Sequence, residues 1–325
     1  MQAGNRHRKM QQHLPQTHDF EPSPDFARLD PGEVRIENVN EYLSDMAKTF
    51  PDKAWFIGYI KPEIDTIVDF GGGTGDFCKY IAEQAAYSGR SFKFVVIDNN
   101  ESFAASAREK GYLAFANLSD MFTSQEVPLD NALLVMSSVI HEIYSYAKHP
   151  WEIGIFWADV RECDFKQIAI RDMNPCCEDS ADVPTDDIVW VYENVLKAPT
   201  LTVNGTKVSD ILHDFENVWG AICDCANANV NIRNLMHFLF KYRYVRNWRH
   251  ELYENYFPLT QNALESILTG LGYRLVRKDS TKLRFYDKAW ARDFHLDCLD
   301  GREHRLKFRN WLYTLNTHVK WLAEK

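Results

Sequence analysis

No stretch of the 325 residues approaches the roughly 18 uninterrupted apolar residues that a membrane-spanning helix requires. The opening stretch, MQAGNRHRKMQQHLPQTHDFEPSPD, lacks the apolar centre of a signal peptide. Cysteine is present seven times, an odd number, at 78, 163, 176, 177, 223, 225 and 298, and never as CxxC. Neither a disulfide framework nor a zinc ribbon is marked, so reduced thiols in the cytoplasm are expected and no metal site is assigned. There is no internal repeat and no low-complexity block. Positive charge is also short: 37 Lys and Arg against 46 Asp and Glu leave a net charge of −9. A chain that coats polyanions over its whole surface is excluded, and any nucleic-acid contact must come from a local basic patch. Apolar mass is not lacking. With 20 Phe, 15 Tyr, 9 Trp and 45% hydrophobic residues, disorder throughout is excluded. The length allows one large domain or two modest ones.

Residues 1 to about 30 carry Pro15, Pro22, Pro24 and Pro31 without periodicity and read as a flexible arm. From Asn38 to Phe50 the apolar residues recur at helical spacing. Strand-like and helix-like stretches then alternate. Thr66–Phe70 (TIVDF), Phe92–Ile97 (FKFVVI), a brief strand near Tyr112–Ala116, Ala132–Met136 (ALLVM) and Gln167–Ile170 (QIAI) are separated by helical patterns at Asp76–Ala86, Ser102–Lys110 and from about Val139. Short apolar runs alternating with helices predict a mostly parallel sheet covered on both faces, an α/β fold. Residues from about 205 to 260 read as a helical insertion. Tyr273–Lys278 (YRLVRK) and Lys282–Tyr286 (KLRFY) read as late strands, and Arg302–Glu324 as an amphipathic helix within a C-terminal helical extension from 289 to 325.

Directly after the first strand stands Asp69-Phe70-Gly71-Gly72-Gly73-Thr74-Gly75-Asp76. As the dinucleotide fingerprint GxGxxG it fails, since Asp76 or Cys78 falls where the third glycine belongs. A nicotinamide oxidoreductase is disfavoured for that reason. As DxGxGxG it matches at Asp69, Gly71, Gly73 and Gly75. A pyrophosphate wants bare amides at a helix N-terminus, whereas an acid at the strand end suits a ligand with a cationic head, such as the ammonium of a methionine moiety. The glycines let backbone approach a nucleoside closely. Asp98 closes the second strand 23 residues after Gly75, where a carboxylate can accept both ribose hydroxyls. Asn117 follows the third strand, where an amide can read an adenine edge.

Across Asn38–Ser280 these motifs resemble the class I S-adenosylmethionine-dependent methyltransferases: VDFGGGTGDF is similar to that family's first motif, VVID to its second, ANL to its third and ALLVMSSVIHE to its fourth. The resemblance implies a Rossmann-like seven-stranded sheet whose last strand is antiparallel, in a methyltransferase domain over residues 31–288, with YRLVRK and KLRFY as candidates for the final two strands. It implies S-adenosylmethionine as cofactor, with Asp69, Gly71, Gly73 and Gly75 on its methionine side, Asp98 and Asn99 at the ribose, Asn117 and Leu118 at the adenine, and Ser137 completing the set. The expected activity is methyl transfer to an oxygen or nitrogen of a small-molecule or nucleic-acid acceptor. The alternative is a regulatory module that binds the cofactor without chemistry.

The proton-moving residues should lie at the carboxyl ends of the strands, where open α/β sheets keep their sites. After the fourth strand, Ser137 and Ser138 read as N-caps and His141 as a first-turn residue. The helix terminus disfavours an imidazolium there, so His141 is expected to be a neutral base, with Glu142 beside it. The plain alternative is a buried histidine with Glu142 as a dipole partner. Arg171-Asp172 abuts QIAI as a clamp for an acceptor or as an internal salt bridge, and Asp172 joins the catalytic candidates. Tyr253-Glu254-Asn255-Tyr256-Phe257-Pro258 is either a site segment or a packed helix end. The Asp/Asn-Pro-Pro-aromatic tetrad of amino-methylating nucleic-acid enzymes is missing, as is the Pro-Cys of cytosine enzymes. Asn174-Pro175-Cys176-Cys177 only loosely echoes the nucleophile segment of RNA cytosine enzymes. Finally, Lys241, Arg243, Arg246 and Arg249 interleave with Tyr242, Tyr244 and Trp248 and are candidates for phosphate contact. The alternative is an amphipathic helix whose rings face the core.

Overall fold

Burial on both sides makes the runs of branched and aromatic residues into strands. The computed structural model describes residues 43–44, 46–173 and 183–325. Seven strands form one sheet: β1 (Thr66–Phe70), β2 (Lys93–Ile97), β3 (Leu113–Phe115), β4 (Ala132–Ser137), β5 (Gln167–Met173), β6 (Arg274–Thr281) and β7 (His318–Glu324). Their order is β3-β2-β1-β4-β5-β7-β6. Strands β1 to β5 are parallel, whereas β7 runs antiparallel to both β5 and β6. This order with its reversed strand is that of the class I methyltransferase fold.

Side chains alternate between the two faces. Ile67, Leu133, Val135, Ala169 and Leu322 pack under Phe56 and under Phe77 and Ile81 of α2 (Asp76–Ala86), which follows the helical turn α1 (Phe50–Lys53). On that side α3 (Glu101–Glu109) seats Ala104 and Ala107 against Val96. The other face, with Val68, Leu134, Ile168, Ile170 and Trp321, is covered from α4 (Leu118–Ser124), α5 (Ile140–Tyr146) and α6 (Pro150–Cys163).

A second, mostly helical layer, with two short two-stranded ribbons at Thr202–Lys207 and Cys223–Val230, has its own core. It comprises α7 (Thr185–Val191), α8 (Val208–Trp219), α9 (Ile232–Lys241) and the short α10 (Trp248–Glu251). After α11 (Gln261–Gly270), which returns to the sheet, and after β6, the layer resumes with α12 (Arg284–Asp293) and α13 (Arg302–Thr314). Ile188, Phe215, Phe238, Trp290, Phe308 and Leu312 fill one continuous apolar cluster. The layer therefore starts before the expected insertion and includes residues 284–314.

Two expectations fail here. Lys282–Tyr286 is not a strand, because Tyr286, Ala289 and Trp290 recur at helical spacing and are buried together along α12. The helix from Arg302 stops at Thr314, and His318–Glu324 is the reversed strand between β5 and β6 rather than part of a helical extension. The expected arm, residues 1–30, and the Asn174–Cys177 motif lie outside the described residues, as does most of the stretch from Asn38 to Asp45.

Gly301 carries a sharp test of the second layer. It sits at φ +59 as the N-cap of α13, and a Cβ there would lie 1.8 Å from Cη2 of Trp190, whose ring stacks on His304. Gly301→Ala should therefore cost about 2–4 kcal/mol, from overpacking plus left-handed strain, read as a lower denaturant midpoint. An unchanged midpoint would mean that Trp190 is not seated as described.

Candidate functional site

The glycine-rich turn joins β1 to α2 and rests on backbone conformations that side chains avoid. Gly71, Gly73 and Gly75 have φ of +72, +55 and +77. A Cβ on Gly71 would meet Val139 at 2.7 Å, and one on Gly75 would meet Tyr112 at 2.8 Å. A Cβ on Gly73 would meet nothing within 4 Å, so its bare face opens onto free space. The Gly73 amide donates to Oδ2 of Asp98 at 2.8 Å, and the Asn100 amide donates to Oδ1 at 2.9 Å. Two of roughly four carboxylate lone-pair positions are thereby used, and two remain for a ligand.

Asp69 at the end of β1 is 3% exposed, with the Cys78 thiol 3.7 Å from its carboxylate. Burial pushes its pKa up to about 7, against the pull of the Lys53 ammonium. Ser137, ending β4, has a buried hydroxyl without a hydrogen-bond partner among the described residues. Asn99 is exposed. Asn117 caps α4: its Oδ1 accepts from the Asp120 amide at 2.8 Å, and its Nδ2 donates to the Asp120 carboxylate at 2.9 Å. Leu118, beside it, is buried.

The ends of β4 and β5 bring His141 and Asp172 together. His141 Nδ1 lies 2.7 Å from Asp172 Oδ1, and both side chains are buried. Oδ2 of the same carboxylate accepts from the Ile140 amide at 2.7 Å and from the His141 amide at 3.3 Å. Asp172, not a serine, therefore caps α5. Ser138 instead adopts φ +58, and its hydroxyl accepts from Arg171 at 2.6 Å. The expected neutral imidazole is overturned by this arrangement. Burial alone would lower the His141 pKa, but the adjoining carboxylate overcomes it and raises the pKa to about 9. Asp172 is correspondingly held below the ordinary carboxylate range despite its burial. The positive end of the helix acts on Asp172, and Asp172 acts on His141.

Arg171 and Asp172 do not pair with each other. Arg171 Nε donates to Asp52 at 2.7 Å, and Lys320 of β7 donates to the same carboxylate at 2.5 Å. Asp52 and its neighbour Lys53 carry no motif, and their place above the strand ends was not readable from sequence. Burial lowers the Lys53 pKa to about 8.

The segment Tyr253–Pro258 closes over this edge. The Asn255 amide donates to Ser145 Oγ at 2.7 Å, Tyr146 hydrogen-bonds Glu254, and the Tyr256 ring lies edge-on to His141 at 5.1 Å. Burial, and then repulsion from Glu254, raise the pKa of Glu142. Lys241 is withdrawn from the expected phosphate contacts. It is completely buried, donates to the carbonyls of Glu251 and Glu254, and lies over the Tyr256 ring at 4.7 Å. The basic stretch is not one helix either, since α9 ends at Lys241 and a separate turn begins at Val245. Arg246 and Arg249 are exposed, while Arg243 is partly buried against Asp293 at 3.1 Å.

No protein-family model matches the chain, and no curated protein matches it. Among solved structures, the chain is similar to a SAM-dependent methyltransferase from Archaeoglobus fulgidus at 11% identity and a TM-score of 0.43, over 89% of this chain and 100% of that one. It is similar to the plantazolicin methyltransferase BamL, solved with a desmethyl substrate analogue and SAH, at 10% identity and a TM-score of 0.41, over 88% and 87%. A third is the magnesium protoporphyrin IX methyltransferase of Synechocystis, with bound SAH, at 10% identity and a TM-score of 0.37, over 90% and 89%. No helix among the described residues is long and apolar enough to cross a membrane.

Proposed function

We propose that the chain is an S-adenosylmethionine-dependent methyltransferase acting on an oxygen or nitrogen. The observation that carries this reading is the DxGxGxG turn: its middle glycine faces open space between two partly or fully buried carboxylates, Asp69 and Asp98. The residues fit the cofactor. Asp69, desolvated even against the pull of Lys53, would take the ammonium; the two open lone pairs of Asp98 would take the ribose hydroxyls; Asn99, Asn117 and Leu118 would border the adenine; and the Ser137 hydroxyl would supply an unused polar group. When bound, the cofactor supplies a methyl group on a sulfonium.

The acceptor enters between α5 and the Tyr253–Pro258 segment. His141 and Tyr256 are each 4% exposed there, so an acceptor would have to part the segment from the helix to reach the imidazole. His141 Nε2, the ring nitrogen not engaged by Asp172, would move the acceptor's proton, and Glu142 would flank it. The charged state of His141 favours a second reading, a binding module without turnover. Incubation with methyl-labelled S-adenosylmethionine and fractionated RNA, DNA, protein and metabolites separates the two. Label in one fraction, together with release of S-adenosylhomocysteine, supports the enzyme, while binding with no product in any fraction supports the module.

Cofactor affinity should also depend on pH. Asp69 binds a cation only when ionised, and in the free protein it takes up a proton near pH 7. Affinity should thus fall roughly tenfold per unit below about pH 7, and fall again above about pH 8, where the ligand's own α-amino group loses its charge. Titration calorimetry across that range, repeated with Asp69→Asn, checks this. A wild-type profile with no fall on the acid side would remove Asp69 from the ammonium site.

A further inference from the structure

Away from the strand ends, the second layer carries an open groove of about 380 Å³ lined by Arg243, Arg284, Phe285, Lys288, Ala289 and Arg292. Arg284, Lys288 and Arg292 recur every fourth residue along α12, so they stand on one face of the helix at steps of about 6 Å. Arg243 joins them from the turn after α9, with its guanidinium 5.5 Å from the Phe285 ring. Carboxylates answer only part of this charge. Asp293 accepts from Arg292 at 2.7 Å and from Arg243 at 3.1 Å, and Asp287 is held by Lys282 at 2.6 Å. Arg284 and Lys288 are exposed and make no ion pair among the described residues. Four cations against one shared carboxylate stand out on a chain of net charge −9.

Phe285 decides the partner. It is 52% exposed in the groove, while its neighbour Tyr286 turns inward against Phe240 at 4.9 Å. We infer that this groove binds single-stranded nucleic acid, with the row on α12 following the phosphates and Phe285 stacking a base. An acidic peptide would match the charge but offers no planar face for the ring. An anionic membrane is flat, and here the cations line a concave surface. An unstacked strand spaces its phosphates more widely than the 3.4 Å per strand of a duplex, in keeping with cations one helical turn apart. This inference does not rest on methyl transfer, and its test needs no cofactor.

The test is fluorescence anisotropy of a labelled oligouridylate against the full chain. Three or four phosphate contacts on a single strand predict a roughly 20- to 50-fold loss of affinity between about 50 and 200 mM salt. Arg284→Glu with Lys288→Glu should lose at least about tenfold and flatten that salt dependence. Phe285→Ala should lose at least about fivefold with the salt slope unchanged. All three side chains are exposed, so the fold should survive, and circular dichroism melts verify that it does. Absence of salt-dependent binding by the wild type overturns the inference. So does undiminished binding by the charge-reversed variant, or a polyglutamate of similar length displacing the oligonucleotide at equal concentration.

Discussion

His141→Ala is expected to lower turnover by about 10² to 10⁴, the usual contribution of a positioned proton-transfer group, while cofactor affinity stays near that of the wild type. The pH profile separates this from a merely structural loss. With a pKa near 9, only about 1% of His141 is neutral at pH 7. If the neutral form is the base, the rate should climb about tenfold per pH unit and level off near pH 9. Asp172→Asn removes the carboxylate that holds the proton, so the plateau should begin at lower pH, although the maximal rate falls because the ring loses its orienting partner. A rate that survives His141→Ala within about fivefold would point to an acceptor with no proton to lose, or to Glu142. Collapse of cofactor affinity would make His141 structural.

Gly73→Val should abolish cofactor binding with the fold retained. Gly71 and Gly75 are poor places for this test, because an added Cβ meets Val139 or Tyr112 before it meets a ligand. At Gly73 an added Cβ enters open space, so the left-handed conformation, at least about 1–2 kcal/mol, is the main intramolecular cost. Calorimetry with S-adenosylhomocysteine and a thermal melt together read the outcome. Undiminished affinity in a folded variant would show that the turn does not cradle the cofactor.

The portions legible in the sequence are those whose physics is local. TIVDF, FKFVVI and ALLVM are mainly apolar because most of their length is covered on both faces, and the first two end in glycines and in Asp98, while ALLVM runs into Ser137 and Ser138. His318–Glu324 escaped notice for a related reason. It lies between β5 and β6 with Val319 and Trp321 on one face and Leu322 on the other, so its polar–apolar alternation lasts only from His318 to Trp321 before the apolar Leu322 and Ala323, and it follows directly on an amphipathic helix. The charge on His141 was misread because its determinant, Asp172, is 31 residues away. The helix terminus was correctly located, but its field falls on the carboxylate. Lys241 looked like surface because its neighbours are basic; only the fold shows the Glu251 and Glu254 carbonyls that receive it.

The late arrival of β7 has a consequence for how the molecule is made. β5 pairs along one side with β4, and its other side waits for residues that start 145 positions after Met173 (318 − 173). At about 5–20 residues per second, a nascent chain leaves that edge open for roughly 7 to 29 seconds. An apolar strand with unpaired amides is a template for pairing with other chains. Arg171 and Asp172 place two opposite charges on the exposed end of that strand, and such charges act as gatekeepers against strand addition. The two residues that hold Asp52 and His141 in the finished protein are thus expected to limit strand addition while the sheet is incomplete. Neutralising both residues should therefore lower the soluble yield on synthesis, alongside the loss of the buried partners of Asp52 and His141 in the finished protein.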